Sequence, residues 1–73
     1  MDLKKEFMDI YADRLVKSID WIVRSWGFVK RGTYGGAWDL LTRAQAELQV
    51  LRGALALMES KDEEAALDAI SMK

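Results

Sequence analysis

Apolar residues recur at alternating intervals of four and three in two segments of this chain, and this pattern restricts both segments to helices. In the first segment the repeat, here called the first stripe, consists of Met8, Ala12, Leu15, Ile19, Ile22, Trp26 and Val29. In the second it consists of Ala37, Leu41, Ala44, Leu48, Leu51, Leu55 and Met58. Heptad spacing places such residues on one helix face, whereas a strand would need alternation of period two. We therefore predict helix 1 over residues about 3–30 and helix 2 over about 37–59.

A glycine-rich turn over residues 31–36 separates the two predicted helices. A short loop between two apolar-striped helices favours an antiparallel helical hairpin. The end of helix 1 has two interpretations. Gly27 can serve as the C-terminal cap of a helix that stops at Trp26, or the helix can continue to Arg31 and end at Gly32.

A short third helix is predicted over residues about 61–71, because Ser60 and Glu63 have the spacing of a capping box. The fold class is thus all-α, with residues 1–73 in a single helical domain. A chain of 73 residues without Cys or His has neither disulfides nor zinc to stabilise a small core. We therefore predict a two-fold dimer with a four-helix core. The predicted dimer or core residues are Leu15, Ile19, Ile22, Trp26, Leu41, Leu48, Leu51 and Leu55.

Helix 1 carries a second stripe on another face, in which large apolar residues alternate with cations. It consists of Ile10, Arg14, Lys17, Trp21, Arg24 and Phe28, and Arg31 adds charge at its end. One interpretation buries this stripe against further helices, with the cationic stems lying over the aromatic rings. The other makes these seven residues an exposed partner-binding face, since Trp and Arg are enriched at binding hot spots.

Catalysis is not expected. Without His or Cys the common nucleophile–base pairs and zinc sites cannot form, and Ser18, Ser25 and Thr42 have no base near them in sequence. The basic residues precede the glycines of the turn, which is the reverse of a phosphate-binding loop. We expect no enzyme activity, no cofactor and no metal.

The leading functional hypothesis is a non-catalytic regulator or inhibitor that binds a larger protein through a helical surface. Small helical proteins of this kind are frequent among phage and mobile-element products, so a viral origin is part of this interpretation. The alternative is a nucleic-acid-binding hairpin dimer with Arg14, Lys17, Arg24, Lys30 and Arg31 on phosphates. A net charge of −1 makes nucleic acid the less expected partner. A third class is a structural subunit that binds only itself.

Membrane insertion is not expected either. The most apolar run, residues 19–29, is interrupted by Asp20 and Arg24 and is too short to span a bilayer. The N-terminal residues are mixed in charge and do not resemble a signal peptide. We therefore expect a cytoplasmic protein.

Overall fold

The structure, a computed structural model, describes residues 2–71 and contains three α-helices and no β-strand in that range. Helix α1 spans Leu3–Lys30, α2 spans Tyr34–Glu59 and α3 spans Glu63–Ser71. Helices α1 and α2 pack side by side as a hairpin, so the all-α prediction is confirmed. Met1, Met72 and Lys73, which the predicted domain includes, lie outside the described residues.

Helix α1 ends in a Schellman motif at Gly32. This glycine has a φ of +77°, and its N–H donates to the carbonyl of Val29 at 3.0 Å. The N–H of Thr33 donates to the carbonyl of Phe28 at 2.9 Å, which completes the motif. The helix therefore continues through Gly27, as the longer of the two interpretations required.

The turn is shorter than predicted, and α2 begins at Tyr34, three residues earlier. Gly35 and Gly36 are helical rather than part of the loop. Gly36 is needed for packing, because a Cβ atom there would lie 2.7 Å from Cδ1 of Phe28. The glycine thus lets the Phe28 ring lie directly against the first turn of α2.

Helix α3 begins at Glu63 and is capped by Asp62. The Asp62 carboxylate accepts a hydrogen bond from the N–H of Ala65 at 3.3 Å. Ser60, the predicted N-cap, instead ends α2, and Lys61 has a left-handed backbone with a φ of 64°. Asp62, rather than Ser60, is the N-cap of α3, because it directly precedes the helical residues and its carboxylate can reach their free N–H groups.

Small residues at seven-residue intervals fill the interior of the hairpin. Ser18 and Ser25 are the buried residues in the middle and at the turn end of α1, and Ala37 and Ala44 are buried on α2. Both serine hydroxyls donate to carbonyls of their own helix, at 3.1 and 2.6 Å. These small, internally satisfied side chains allow close helix packing, but they bury little apolar area.

Larger side chains form the core only where α3 joins the hairpin. The buried cluster there consists of Phe7, Leu51, Ala54, Ala66 and Ile70. Ile10, Leu57 and other half-buried residues pack around it. Helix α3 therefore covers one side of the hairpin near the chain termini.

Candidate protein-binding face

Large apolar side chains of α1 are exposed in a row beside its buried positions. Ile19 directly follows the buried Ser18, and Trp26 directly follows the buried Ser25. Since an α-helix turns about 100° per residue, each is rotated by that angle away from α2. Ile19 is 50% exposed and Trp26 is 61% exposed. The exposed large apolar residues of this row are Met8, Val16, Ile19, Ile22, Val23, Trp26 and Val29.

Helix α2 carries a matching row. Trp38 follows the buried Ala37, and Leu55 follows the buried Ala54. Trp38 is 68% exposed and Leu55 is 45% exposed. The exposed large apolar residues of this row are Tyr34, Trp38, Leu41 and Leu55.

The two rows lie on the same side of the hairpin. In an antiparallel pair, the buried side of each helix points towards the other helix. Because the two chains run in opposite directions, successive residues also turn in opposite senses when both helices are viewed from one end. Residues that directly follow buried positions on either helix therefore turn towards one common side. Helix α3 occupies the opposite side, where Arg14 of α1 reaches the carbonyl of Ile70. We call the two rows together the open face.

The size of the molecule agrees with an uncovered surface. The accessible area is 5551 Å², whereas a compact monomer of 8.3 kDa exposes about 4,600 Å². The radius of gyration is 14.6 Å, against about 11 Å for a compact domain of this length. The excess of about 950 Å² is of the same order as the ~800 Å² that one partner buries in a protein–protein interface of ordinary size.

The predicted dimer or core residues are distributed unevenly in the single chain. Leu51 is buried, Leu15 and Leu48 are half-buried, and Ile19, Ile22, Trp26, Leu41 and Leu55 are exposed. In helix α1 most of the first stripe thus lies on the open side of the hairpin, whereas Leu15 packs against the buried cluster. The predicted role of these eight residues in a dimer core stays a prediction.

The second stripe lies largely against the rest of the chain. Ile10, Trp21 and Phe28 are half-buried, and they line the flank of α1 that faces α3 or α2. Arg14 is also half-buried, whereas Lys17, Arg24 and Arg31 are exposed. The guanidinium of Arg31 lies 4.9 Å from the Phe28 ring centroid, a cation–π contact. The partner-binding role predicted for the seven residues stays a prediction.

Two of the exposed cations have carboxylate neighbours on α1. Lys17 Nζ lies 3.6 Å from a carboxylate oxygen of Asp13, and Arg24 Nε lies 2.8 Å from one of Asp20. Both are i,i+4 pairs at exposed positions, where each stabilises the helix by only ~0.3–0.5 kcal/mol. Their main consequence is to reduce the positive potential along this flank.

Arg14 joins all three helices. Its Nε and Nη2 donate to the two carboxylate oxygens of Glu47, the second at 3.0 Å, and its Nη1 donates to the carbonyl of Ile70. Hydrogen bonding by the Arg14 guanidinium lowers the pKa of the Glu47 carboxyl, and the same bond raises the pKa of Arg14. A bidentate pair of this kind fixes orientation as well as adding energy. It ties the C-terminal end of α3 to the hairpin.

Within residues 2–71, no group of three carboxylate, His or Cys side chains is arranged to hold a metal ion. In the same range, no helix combines the length and the apolar character needed to cross a membrane. Most of the exposed large apolar residues lie instead on one flank of each hairpin helix, and Val50 of α2 is an exception.

Sequence reasoning missed the contribution of Tyr34 and Trp38 to the open face. Tyr34 was assigned to the turn, and Trp38 was not part of either stripe. The available signal was the position of Trp38 directly after Ala37, which begins the small-residue row of α2. Comparison with protein-family models, curated proteins and solved structures found no match to this chain.

Proposed function

We propose that this chain is a non-catalytic protein-binding regulator or inhibitor that acts through its helical surface and works as a homodimer. The observation that carries the proposal is the open face, a mostly apolar surface on the side of the hairpin opposite α3, interrupted on α2 by the exposed Gln45 and Arg52. Exposed apolar surfaces of this extent are typical of protein interaction sites. Aromatic side chains such as Trp26, Tyr34 and Trp38 are enriched among the residues that dominate binding energy.

The shape of the open face suits helices as partners. It consists of two parallel rows at helical spacing, one on α1 and one on α2. Such rows accept the ridges of other helices, and a second hairpin would supply two. Stacking two hairpins through this face gives the four-helix core expected from the sequence.

The experiment is a charge substitution in the open face with a matched control outside it. Ile19→Asp places a carboxylate at the middle of the α1 row. About half of the Ile19 side chain, roughly 80 Å² of apolar surface, is available for burial by the second copy. Losing this burial costs ~2 kcal/mol per copy. Two copies contribute ~4 kcal/mol, so the dimer Kd should rise about 1,000-fold.

Val50→Asp is the control. Val50 is also an exposed β-branched residue, 37% accessible, but it lies on α2 away from the open face. We expect sedimentation velocity to give a monomer for Ile19→Asp and a dimer for Val50→Asp, with wild-type helicity in both. Equal effects of the two substitutions would contradict the proposal.

A larger protein partner would contact the outer surface of the dimer, where Lys17, Arg24 and Arg31 stay exposed. Arg24→Glu should then weaken capture of an acidic partner, while loss of the Asp20 pair lowers the melting temperature by only about 2–6 °C. A cytoplasmic site of action is part of the proposal. Unchanged capture by Arg24→Glu would exclude this surface.

The nucleic-acid alternative has less support, because Arg14, Lys17 and Arg24 each lie beside a carboxylate. A salt titration separates the two hypotheses. Affinity that depends on phosphate contacts falls steeply between 50 and 200 mM salt, by ~10³-fold or more for six contacts. A partner held by the exposed cations and apolar rings of a protein surface should lose much less.

A further inference from the structure

We infer that the two copies stack antiparallel through the open face, so that the turn end of one lies over the terminal end of the other. This inference rests on the proposed dimer and specifies its geometry. Two face-to-face arrangements have two-fold symmetry. A two-fold axis across the hairpin places α1 over α1 of the second copy, with the turns at opposite ends. An axis along the hairpin places α1 over α2 of the second copy, with the turns together.

Charge is distributed unevenly along the hairpin, which is 47 Å long. Residues 20–44, which form the turn half, contain the cations Arg24, Lys30, Arg31 and Arg43 and the carboxylates Asp20 and Asp39, giving +2. The rest of the described chain has six cations and ten carboxylates, giving −4. Most of this negative charge comes from the end of α2 and from α3.

Complementarity therefore favours the antiparallel stack. With the turns together, one end of the dimer would collect +4 and the other −8. With the turns at opposite ends, each end combines a positive half with a negative half, and the long-range repulsion becomes attraction. The electrostatic energy difference between the two orientations acts over distances near the Debye length of ~8 Å. It therefore selects the orientation of the dimer more than it increases the affinity.

Side-chain volume on the open face leads to the same orientation. The turn half presents the largest side chains, Trp26, Tyr34 and Trp38, whereas the terminal half presents Met8 and Ala12 from α1. An antiparallel stack places the Trp26 indole opposite the small Ala12 and separates the aromatic side chains of the two copies. Stacking the turns together would instead crowd six large aromatic rings at one end and leave gaps at the other, which close packing disfavours.

The two-fold axis then passes near the middle of the α1 row, close to Ile19. Val29 of one copy lies at the level of Met8 of the other. Trp26 lies at the level of Ala12, whose small side chain leaves room for the indole. The interface is thus built from one repeated contact set, as a symmetric dimer requires.

A distance between spin labels tests the orientation in the intact protein. The natural chain has no cysteine, so Thr33→Cys supplies a single labelling site at the turn. Thr33 is exposed and its side chain makes no capping hydrogen bond. At a rise of 1.5 Å per residue, the antiparallel stack separates the two labels by about 40 Å. Stacking with the turns together brings them within about 25 Å, given helix spacings of 8–10 Å and the label length.

Ala46→Cys is the matched control, because Ala46 is exposed, lies halfway along the hairpin and is rotated away from the open face. Its labels should lie within about 30 Å in either orientation. Double electron–electron resonance giving a long Thr33 distance and a short Ala46 distance supports the inference. Two short distances would overturn the orientation and leave the dimer standing. No dipolar signal at either site would refute the dimer itself.

Discussion

Replacing Arg14 by methionine should loosen α3 and destabilise the whole chain. Met keeps most of the apolar stem but removes the guanidinium that bonds to both Glu47 oxygens and to the Ile70 carbonyl. Glu47 would then keep a charge without its partner in a partly buried place. The carbonyl of Ile70 would lose its donor as well.

The magnitude follows from the burial of the pair. The Arg14 and Glu47 side chains are 19% and 18% exposed. Breaking a fully buried pair costs ~3–5 kcal/mol, whereas an exposed pair contributes ~0–1 kcal/mol. A pair that is mostly buried but reached by water should fall between these limits, so we expect a loss of ~2 kcal/mol. In a domain this small that is a large share of the free energy of unfolding.

The assay is urea unfolding followed by circular dichroism at one fixed chain concentration, because dimerisation would add to apparent stability. Arg24→Met is the control, since it breaks an ion pair whose side chains are 68% and 53% exposed. It should cost under ~0.5 kcal/mol. Hydrogen exchange should speed up in α3 for Arg14→Met alone.

Removing both charges separates the pair from the packing. In Arg14→Met combined with Glu47→Leu, no buried charge is left unpaired, and most of the lost stability should return. Equal stability of Arg14→Met and Arg24→Met, or a double variant no more stable than Arg14→Met, would refute the reasoning.

Three further predictions concern single positions. Gly36→Ala should destabilise the chain by ~1–3 kcal/mol in thermal unfolding, because the added Cβ would overlap the Phe28 ring. Gly35→Ala, which has open space around it, should stabilise the chain by ~0.5–1 kcal/mol. Equal effects of the two substitutions would contradict the packing of Phe28 on Gly36. Lys61→Gly should stabilise by ~1 kcal/mol because Lys61 has a left-handed backbone, and a loss would argue against that conformation. Because its pKa is lowered in the folded state, ionised Glu47 stabilises the chain at pH values above its unfolded-state pKa of ~4.3. This stabilisation is lost as the pH falls through the folded-state pKa. A Glu47→Gln variant whose unfolding depends on acid pH in the same way as wild type would contradict this.

The helices were predictable because their signals are local. The four-three spacing on each segment and the glycines between them identify a helical hairpin without tertiary information. Helix ends were less predictable, since Ser60 and Asp62 both satisfy the rule for an N-cap. The choice depended on the left-handed residue Lys61 between them, which sequence patterns do not reveal.

The face that α1 turns towards α2 could not be read from its repeat. Both stripes of α1 have heptad spacing, and hydrophobicity alone places the first stripe inside. The hairpin instead uses the row that contains Ser18 and Ser25, which allows the closest approach to Ala37 and Ala44. Because serine is polar, sequence reasoning assigns such a row to the solvent-exposed side of the helix. A serine hydroxyl that donates to a carbonyl of its own helix can nevertheless be buried at little cost in free energy.

This arrangement explains why a small chain exposes Trp26, Trp38 and several large aliphatic side chains. A hairpin joined through small residues gains close packing but buries little area, so its own core is modest. The open face holds the apolar area that a stable four-helix core would use. Association should therefore add to the apparent stability of the folded hairpin.

Sedimentation equilibrium of the wild-type chain over about 1–100 µM tests this account most directly. Burial of the open face by a second copy predicts a species of twice the 8.3 kDa chain mass, dissociating only towards the low end of the range. A helical, cooperatively folded species that stays at 8.3 kDa throughout would contradict it.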